Sequence, residues 1–279
     1  MSPLAEISLV TQRELRKNLR SAKGIVLAAL SLLGGSSVAL LMVKYQEFKR
    51  RELGELTAEQ IHELREKALL KAYGDEAMAK SLADAPEVLL VLLLLTIWLT
   101  PLLVALMGFD SVAPDIQHRS VRYWSLRTRR WAYFVGKWAG LWATVSAVTF
   151  AMDLVIWLVC IARGEATAAQ TLGWGVRFWA ISLPMSAIWC GIATLVSSLF
   201  RSPILALLLT FAAFFVIWVV YLIAVLAGAE WVAYIYPNHY DHLLLHPQAH
   251  KLGAGLGGCL GLTALYVSVG SLLFMKRDV

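Results

Sequence analysis

Val88-Leu-Leu-Val-Leu-Leu-Leu-Leu-Thr-Ile-Trp-Leu-Thr-Pro-Leu-Leu-Val-Ala-Leu-Met-Gly-Phe109 carries no charge from end to end. A helix rises about 1.5 Å per residue, so about 20 such residues cross the roughly 30 Å hydrocarbon core of a bilayer. The same reading holds outward along the chain. Gly24–Val43, Phe178–Phe200, Ser202–Ala229 and Leu252–Met275 are also uncharged, and Trp138–Ala162 holds one charge, Asp153. Helices satisfy their own backbone groups in lipid. A barrel would need short alternating segments, and none is present. The sequence therefore predicts an all-α, polytopic membrane protein with six transmembrane helices, forming one transmembrane domain over residues 1–279. Composition agrees: 59% of residues are hydrophobic and 16% charged, against about 45–50% and about 25% in soluble domains.

The basic residues set the orientation. Arg13, Arg16, Lys17, Arg20 and Lys23 precede the first span. Arg119, Arg122, Arg127, Arg129, Arg130 and Lys137 lie between spans two and three, Arg201 between four and five, and Lys276 and Arg277 after six. The opposite side has Arg163, Arg177 and Lys251 in its two shorter loops. Its long loop, Lys44–Glu87, is mixed, with eight basic and ten acidic residues, and long loops weigh little in the positive-inside rule. Both termini are expected in the cytoplasm. Trp131 and Trp138 suit the inner interface, and Trp174, Trp179 and Trp231 the outer one. The net charge of +6 is thus a matter of sidedness and lipid contact, and no nucleic-acid partner is expected.

Residues 4–20 read as an amphipathic helix. Leu4, Ile7, Leu15 and Leu19 share one face and Arg13, Arg16, Lys17 and Arg20 the other, with Leu9 and Val10 off the pattern. Such a helix lies in the headgroup plane, or else it begins span one. Residues 44–87 read as an extracytoplasmic helical insertion. Thr57-Ala-Glu-Gln60 is a capping box, Gly54 and Gly74 are breaks, and Asp84 is the N-cap candidate for span two. The insertion could gate or dock a partner, or be a solvated extension. Gly253, Gly257 and Gly261 give span six a small-residue stripe for close helix packing, within the subunit or between subunits.

The loop after span two reads Phe109-Asp-Ser-Val-Ala-Pro-Asp-Ile-Gln-His-Arg-Ser-Val-Arg-Tyr-Trp-Ser-Leu-Arg-Thr-Arg-Arg-Trp-Ala-Tyr-Phe-Val-Gly-Lys137. This resembles the cytoplasmic signature of type-2 ABC-transporter permeases. Asp110, Asp115, Arg119-Ser120, Arg130 and Gly136-Lys137 occupy the positions of that signature, with Asp115 and Arg119-Ser120 where the family usually has Glu and Gly-Thr. Arg13-Glu14-Leu15, the Pro237 segment and the ending Phe274-Met-Lys-Arg-Asp278 fit the family as well. The resemblance implies an export-type permease with an elbow helix (4–20; Arg13, Glu14, Arg16) and a cytoplasmic coupling loop (110–131). Asp115, Arg119, Arg122, Tyr123, Trp124, Arg127 and Arg130 would dock the ATPase. It also implies two copies of a separate ATPase, which binds ATP and Mg, and a second permease copy in a homodimer. The setting would be a bacterial cytoplasmic membrane. The alternative is a structural or regulatory membrane subunit that moves no cargo. For the loop itself, anionic lipid is a compatible second reading.

Other features weigh against chemistry in this chain. No Gly-x4-Gly-Lys-Ser/Thr occurs, so no P-loop holds ATP here, and no catalytic or cofactor motif is found. Cys160, Cys190 and Cys259 all fall in apolar runs and read as buried thiols. His239, His242, His246 and His250 crowd one outer loop, but Pro247 ends any helix there, and no metal site is assigned. Asp153, alone inside a span, sits toward the outer end and reads as water-reaching or bonded to a neighbouring helix. Trp, Phe and Leu in the outer halves of the spans suit an amphipathic cargo and lipid contact equally. The topology has a direct check. A cysteine placed at Glu66 should react with an impermeant maleimide in intact cells and one placed at Arg122 should not; the reverse pattern inverts the orientation.

Overall fold

The computed structural model describes residues 2–52 and 57–277, and among these every regular element is helical. Gly54 and Asp278 lie outside the described residues. The first helix, α1 (Pro3–Arg20), begins at Ser2, whose hydroxyl accepts from the Ala5 N–H. It stops at Ser21, which is extended (φ −71°, ψ 146°), so α1 is separate from α2 (Ala22–Glu52). There follow α3 (Ala58–Tyr73), α4 (Glu76–Ala83), α5 (Glu87–Gly108), and two short helices, α6 (Ala113–Gln117) and α7 (Val121–Ser125). Then come α8 (Arg130–Ala162), α9 (Ala168–Leu199) and α10 (Pro203–Leu226). A single-turn α11 (Glu230–Ala233), a 3-10 turn over Pro237–Tyr240, α12 (Asp241–Leu245) and α13 (Ala249–Met275) complete the chain. Six of these, α2, α5, α8, α9, α10 and α13, are long and apolar enough to cross a membrane.

The helices outrun the apolar stretches that announce them. The third span begins at Arg130 rather than Trp138, because Lys137 is enclosed within the chain and does not interrupt the helix. The fourth begins at Ala168 rather than Phe178. Arg177 reaches out of it to the Leu245 carbonyl (3.3 Å) and stacks over Trp174 (5.0 Å), so its charge costs the helix little. Trp138, expected at the interface, turns inward: its indole N–H donates to Ala187 O (3.0 Å), and Trp142 does the same to Leu183 O (3.0 Å). These two stacked rings (5.8 Å, 4°) tie α8 to α9, which is the most enclosed of the spans.

At one end the insertion folds back on the bundle. The Thr57–Gln60 capping box opens α3, and Gly74 (φ +69°) closes it in the left-handed conformation that glycine tolerates without strain. Asp84 does not cap span two. It ends α4, its carboxylate lies 3.3 Å from His62, and Pro86 stands at the start of α5. Arg65 donates to the carbonyls of Leu82 and Ala85 and so binds α3 to the turn before span two.

Asp75 is the N-cap of α4 and also ties it to span six. It accepts from the Met78 N–H (3.1 Å), Lys251 Nζ (2.9 Å) and His246 Nε2 (3.1 Å). His246 Nδ1 accepts from the Gln248 N–H (3.0 Å), which assigns the ring proton to Nε2, facing Asp75. The Lys251 hydrogen bond, then those from Met78 and His246, hold the Asp75 carboxyl well below the ordinary carboxylate range. A carboxyl lowered on folding stabilises the fold above its unfolded pKa and loses that contribution as pH falls through the folded value. Protease protection of the α3–α4 hairpin should therefore hold down to about pH 4. Asp75→Asn should weaken it already at pH 7. Equal protection of wild type and Asp75→Asn at pH 7 would show that the tie does not depend on this carboxylate.

Candidate coupling interface

The other end gathers α1, α6, α7, the first turns of α8 and the last turn of α13. Its centre is Lys137, 2% exposed, with Nζ 2.7 Å from Glu14 Oε2 and 2.6 Å from Asp115 Oδ2. Glu14 comes from α1, Asp115 from α6 and Lys137 from α8, so one ammonium joins three elements. Tyr133, one turn before Lys137, donates its hydroxyl to Asp115 Oδ2, and Ser120 donates to Oδ1 (2.8 Å). The carboxylates and ammonium are thus hydrogen-bonded as well as paired, which a buried charge requires.

The elbow lies along α8, one turn matching one turn. Val10 meets Gly136, Glu14 meets Gly140, and the Asn18 amide donates to Thr144 Oγ1 (3.3 Å). The glycines make this contact possible. A Cβ at Gly136 would fall 2.6 Å from Val10 Cβ, and one at Gly140 would fall 2.6 Å from Glu14 Cβ. At the head of the seam the Glu6 carboxylate accepts from the Arg129 N–H (2.9 Å), at the positive end of α8. The buried face of α1 is therefore Glu6, Val10, Glu14 and Asn18. Helical spacing set Leu4, Ile7, Leu15 and Leu19 on one face for the headgroup plane; the face that meets α8 is a different one and includes Val10. Leu4, Leu9 and Leu19 are exposed, because the partner surface on α8 is polar and glycine-lined.

The coupling helices are fixed from both sides. Ser197, from the end of α9, accepts from the Val112 and Ala113 N–H groups (3.1 Å each) and donates to Phe109 O (2.8 Å). Lys23 donates to Asp110 and to Met107 O, linking the start of span one to the end of span two. Arg13 lies 4.3 Å over Trp124, whose ring neighbours Tyr133 (6.0 Å). Arg130 holds the end of α13 through Met275 O (3.2 Å) and Arg277 O (3.1 Å). Between α6 and α7, Arg119 has φ +56°, the only non-glycine residue with positive φ among the described residues. The left-handed conformation explains why glycine suits this position in the family pattern.

The docking residues read from the sequence thus divide. Asp115, Trp124 and Arg130 serve the chain's own packing, as do Arg13 and Glu14 of the elbow. Tyr123 (76% exposed), Arg119, Arg122 and Arg127 face outward, as does Arg16. Leu126 is 85% exposed beside them, whereas Tyr133 and Ser197, buried residues that brace this end from within, were not singled out in the sequence. Gly253, Gly257 and Gly261 are not brought together with any part of the chain. Span six packs inside the subunit through Gly255 against Leu243 and Leu244, Gly258 against Tyr240, and Gly270 against Phe134. His239 and His242 stay adjacent, ring centroids 5.1 Å apart, while His246 turns to Asp75, and among the described residues no group of three or more metal-ligating side chains is found.

Removing one partner of a buried ion pair costs about 3–5 kcal/mol. Glu14→Gln and Lys137→Met should therefore each lower thermal stability in detergent by more than Lys17→Met, which also pairs with Glu14 (3.3 Å) but through an exposed side chain. Gly140→Leu should release α1 to protease with the ion pair's residues intact. Unchanged protection in Gly140→Leu would mean the elbow does not depend on this seam.

No curated protein matches this chain. The family model for ABC-2 family transporter proteins matches residues 9–279, which include the elbow from its second turn, the coupling helices and all six spans. With that match across nearly its whole length, the chain belongs to the ABC-2 family of transporter membrane subunits.

Proposed function

We propose that the chain is the permease half of an ATP-driven exporter in a bacterial cytoplasmic membrane, with both termini inside. The observation that carries this reading is the Glu14–Lys137–Asp115 cluster. It secures α6 and α7 to the bundle while Tyr123 and Leu126 remain exposed. An aromatic and an aliphatic side chain ringed by arginines is the composition of an interface core with a charged rim. The partner is a separate ATPase that holds ATP and Mg, and this chain supplies no catalytic group. Two ATPases must face each other for productive hydrolysis in this transporter class, so two permease halves are needed. Closed two-fold pairing of one chain is the simplest supply. Spans one and five are the least enclosed of the six, and Gly253, Gly257 and Gly261 stand open on span six, so these faces are available for the second copy.

The test targets residues that hold nothing else. Tyr123→Ala with Leu126→Ala should weaken ATPase association by about 2 kcal/mol or more, roughly 30-fold, if these are the central contacts. The permease should keep its own melting temperature. Native mass of the extracted wild-type complex should show two copies of this chain and two ATPases. Undiminished co-purification in the double variant moves the docking site elsewhere, and a single permease copy or two different permease masses excludes the homodimer.

A further inference from the structure

A cleft of about 300 Å³ lies at the end of the bundle that carries the insertion. Segments distant in sequence form it: the far end of α2, one side of α3, the turn between α4 and α5, and the turn between α8 and α9. Its size is at the lower end of small-molecule sites, about 300–1,000 Å³.

Gln46, on α2, distinguishes this cleft from an ordinary surface hollow. The residue is 8% exposed and lines the cleft, yet its side-chain amide has no hydrogen-bond partner among the described residues. A buried amide is destabilising unless something answers it, and here the answer must come from the cleft.

The charges around Gln46 decide what fits. Among the described residues that line the cleft are three acids, Asp84, Glu87 and Glu165, and one cation, Arg65. Arg65 is committed to the backbone, donating to the carbonyls of Leu82 (3.4 Å) and Ala85. Asp84 lies 3.3 Å from His62 and its side chain stays 74% exposed. Glu87 and Glu165 have interactions of their own, but a carboxylate has about four lone-pair sites and accepts further donors. Glu165 follows Gly164, whose left-handed conformation (φ +68°) turns the chain between α8 and α9. Carboxylates in excess of guanidinium, beside an amide oxygen in need of a donor, favour a positive ligand that carries N–H groups.

We propose that this cleft binds a small organic amine, its ammonium donating to the Gln46 amide oxygen and to the surrounding carboxylates. The site stands on this geometry and goes beyond the transport reading, on which it does not depend. Solvent alone, or an anion drawn to Arg65, are the competing occupants.

The test uses the full-length chain in discs of zwitterionic lipid, with radiolabelled putrescine displaced by itself, by butanediol or by succinate. The three share a four-carbon chain and differ in charge. Putrescine should displace at least about tenfold better than butanediol, and succinate should be the weakest. Gln46→Met, which keeps the side chain's length without the amide, should weaken putrescine severalfold, and Glu165→Gln about tenfold. Both should leave the melting temperature of the unliganded chain nearly unchanged. Glu63→Gln removes an acid of α3 that lies outside the cleft and pairs with Lys67 (2.7 Å), and it should leave binding as it is. Equal displacement by butanediol, or no saturable putrescine binding, means a solvent-filled cleft. Tightest displacement by succinate means an anion site. A loss in Glu63→Gln equal to that in Glu165→Gln means diffuse attraction to surface acids. Each of these results overturns the proposal. None of them involves the ATPase, so failure here leaves the transport reading untouched.

Discussion

The end of the bundle that gathers α1, α6 and α7 depends on the enclosure of the Lys137 ammonium between two carboxylates. Desolvating an ammonium costs several kcal/mol, and a single carboxylate seldom repays it. Here Glu14 and Asp115 both lie within 2.7 Å, and Tyr133 and Ser120 engage the Asp115 oxygens that would otherwise compete for the charge. The two acids come from separate elements, Glu14 from α1 and Asp115 from α6. A buried apolar cluster of Val10, Val112, Ile116, Val121, Tyr133, Phe134 and Phe274 packs at the same end, and the directional ion cluster adds register to that contact.

The six spans were legible because lipid imposes a length and a composition on anything that crosses it. Their ends were not, for reasons that differ from residue to residue. Lys137 marks a loop in a hydropathy scan, but its charge is neutralised inside the fold and the helix runs on to Arg130. Arg177 marks a loop for the same reason, yet its long stem lets the charge leave the helix sideways. The face of α1 that meets α8 was not legible, because amphipathic spacing marks only the apolar side and this contact is polar. The helix buries Glu6, Val10, Glu14 and Asn18 against a complementary polar groove, while its leucines face outward. The signal that could have shown it is the four-residue spacing shared by Val10, Glu14 and Asn18 and by Gly136, Gly140 and Thr144. It becomes visible only once residues 130–144 are read as helix. The span-six glycines divide similarly. The stripe with the cleanest spacing faces open space, and Gly255 and Gly258, on the adjacent face, take Leu243, Leu244 and Tyr240.

The two ends of the molecule are organised on opposite principles. At the end that holds α6 and α7 the Lys137 charges are enclosed and paired within the chain. At the other end the partly exposed Asp75 and Lys251 and the buried His246 join the insertion to span six, and the exposed pairs Glu63–Lys67 and Glu76–Lys80 lie along single helices. Exposed pairs contribute little to stability. Asp75 stands apart because it also caps α4, so one carboxylate both starts a helix and anchors it to its neighbour.

Span three behaves as a rod. Its 33 residues extend for about 50 Å, and they contain no proline, whereas α5 and α9 carry Pro101 and Pro184 at places where a helix can bend. The clamp at Lys137 grips this rod near one end, and Asp153 sits on it sixteen residues farther along. A tilt of about 5° pivoting at the clamped end moves the far tip by about 4 Å over that length. On the transport reading proposed above, a small rotation of α6 and α7 would be magnified at the far end of span three, with the carboxylate of Asp153 carried on the lever arm.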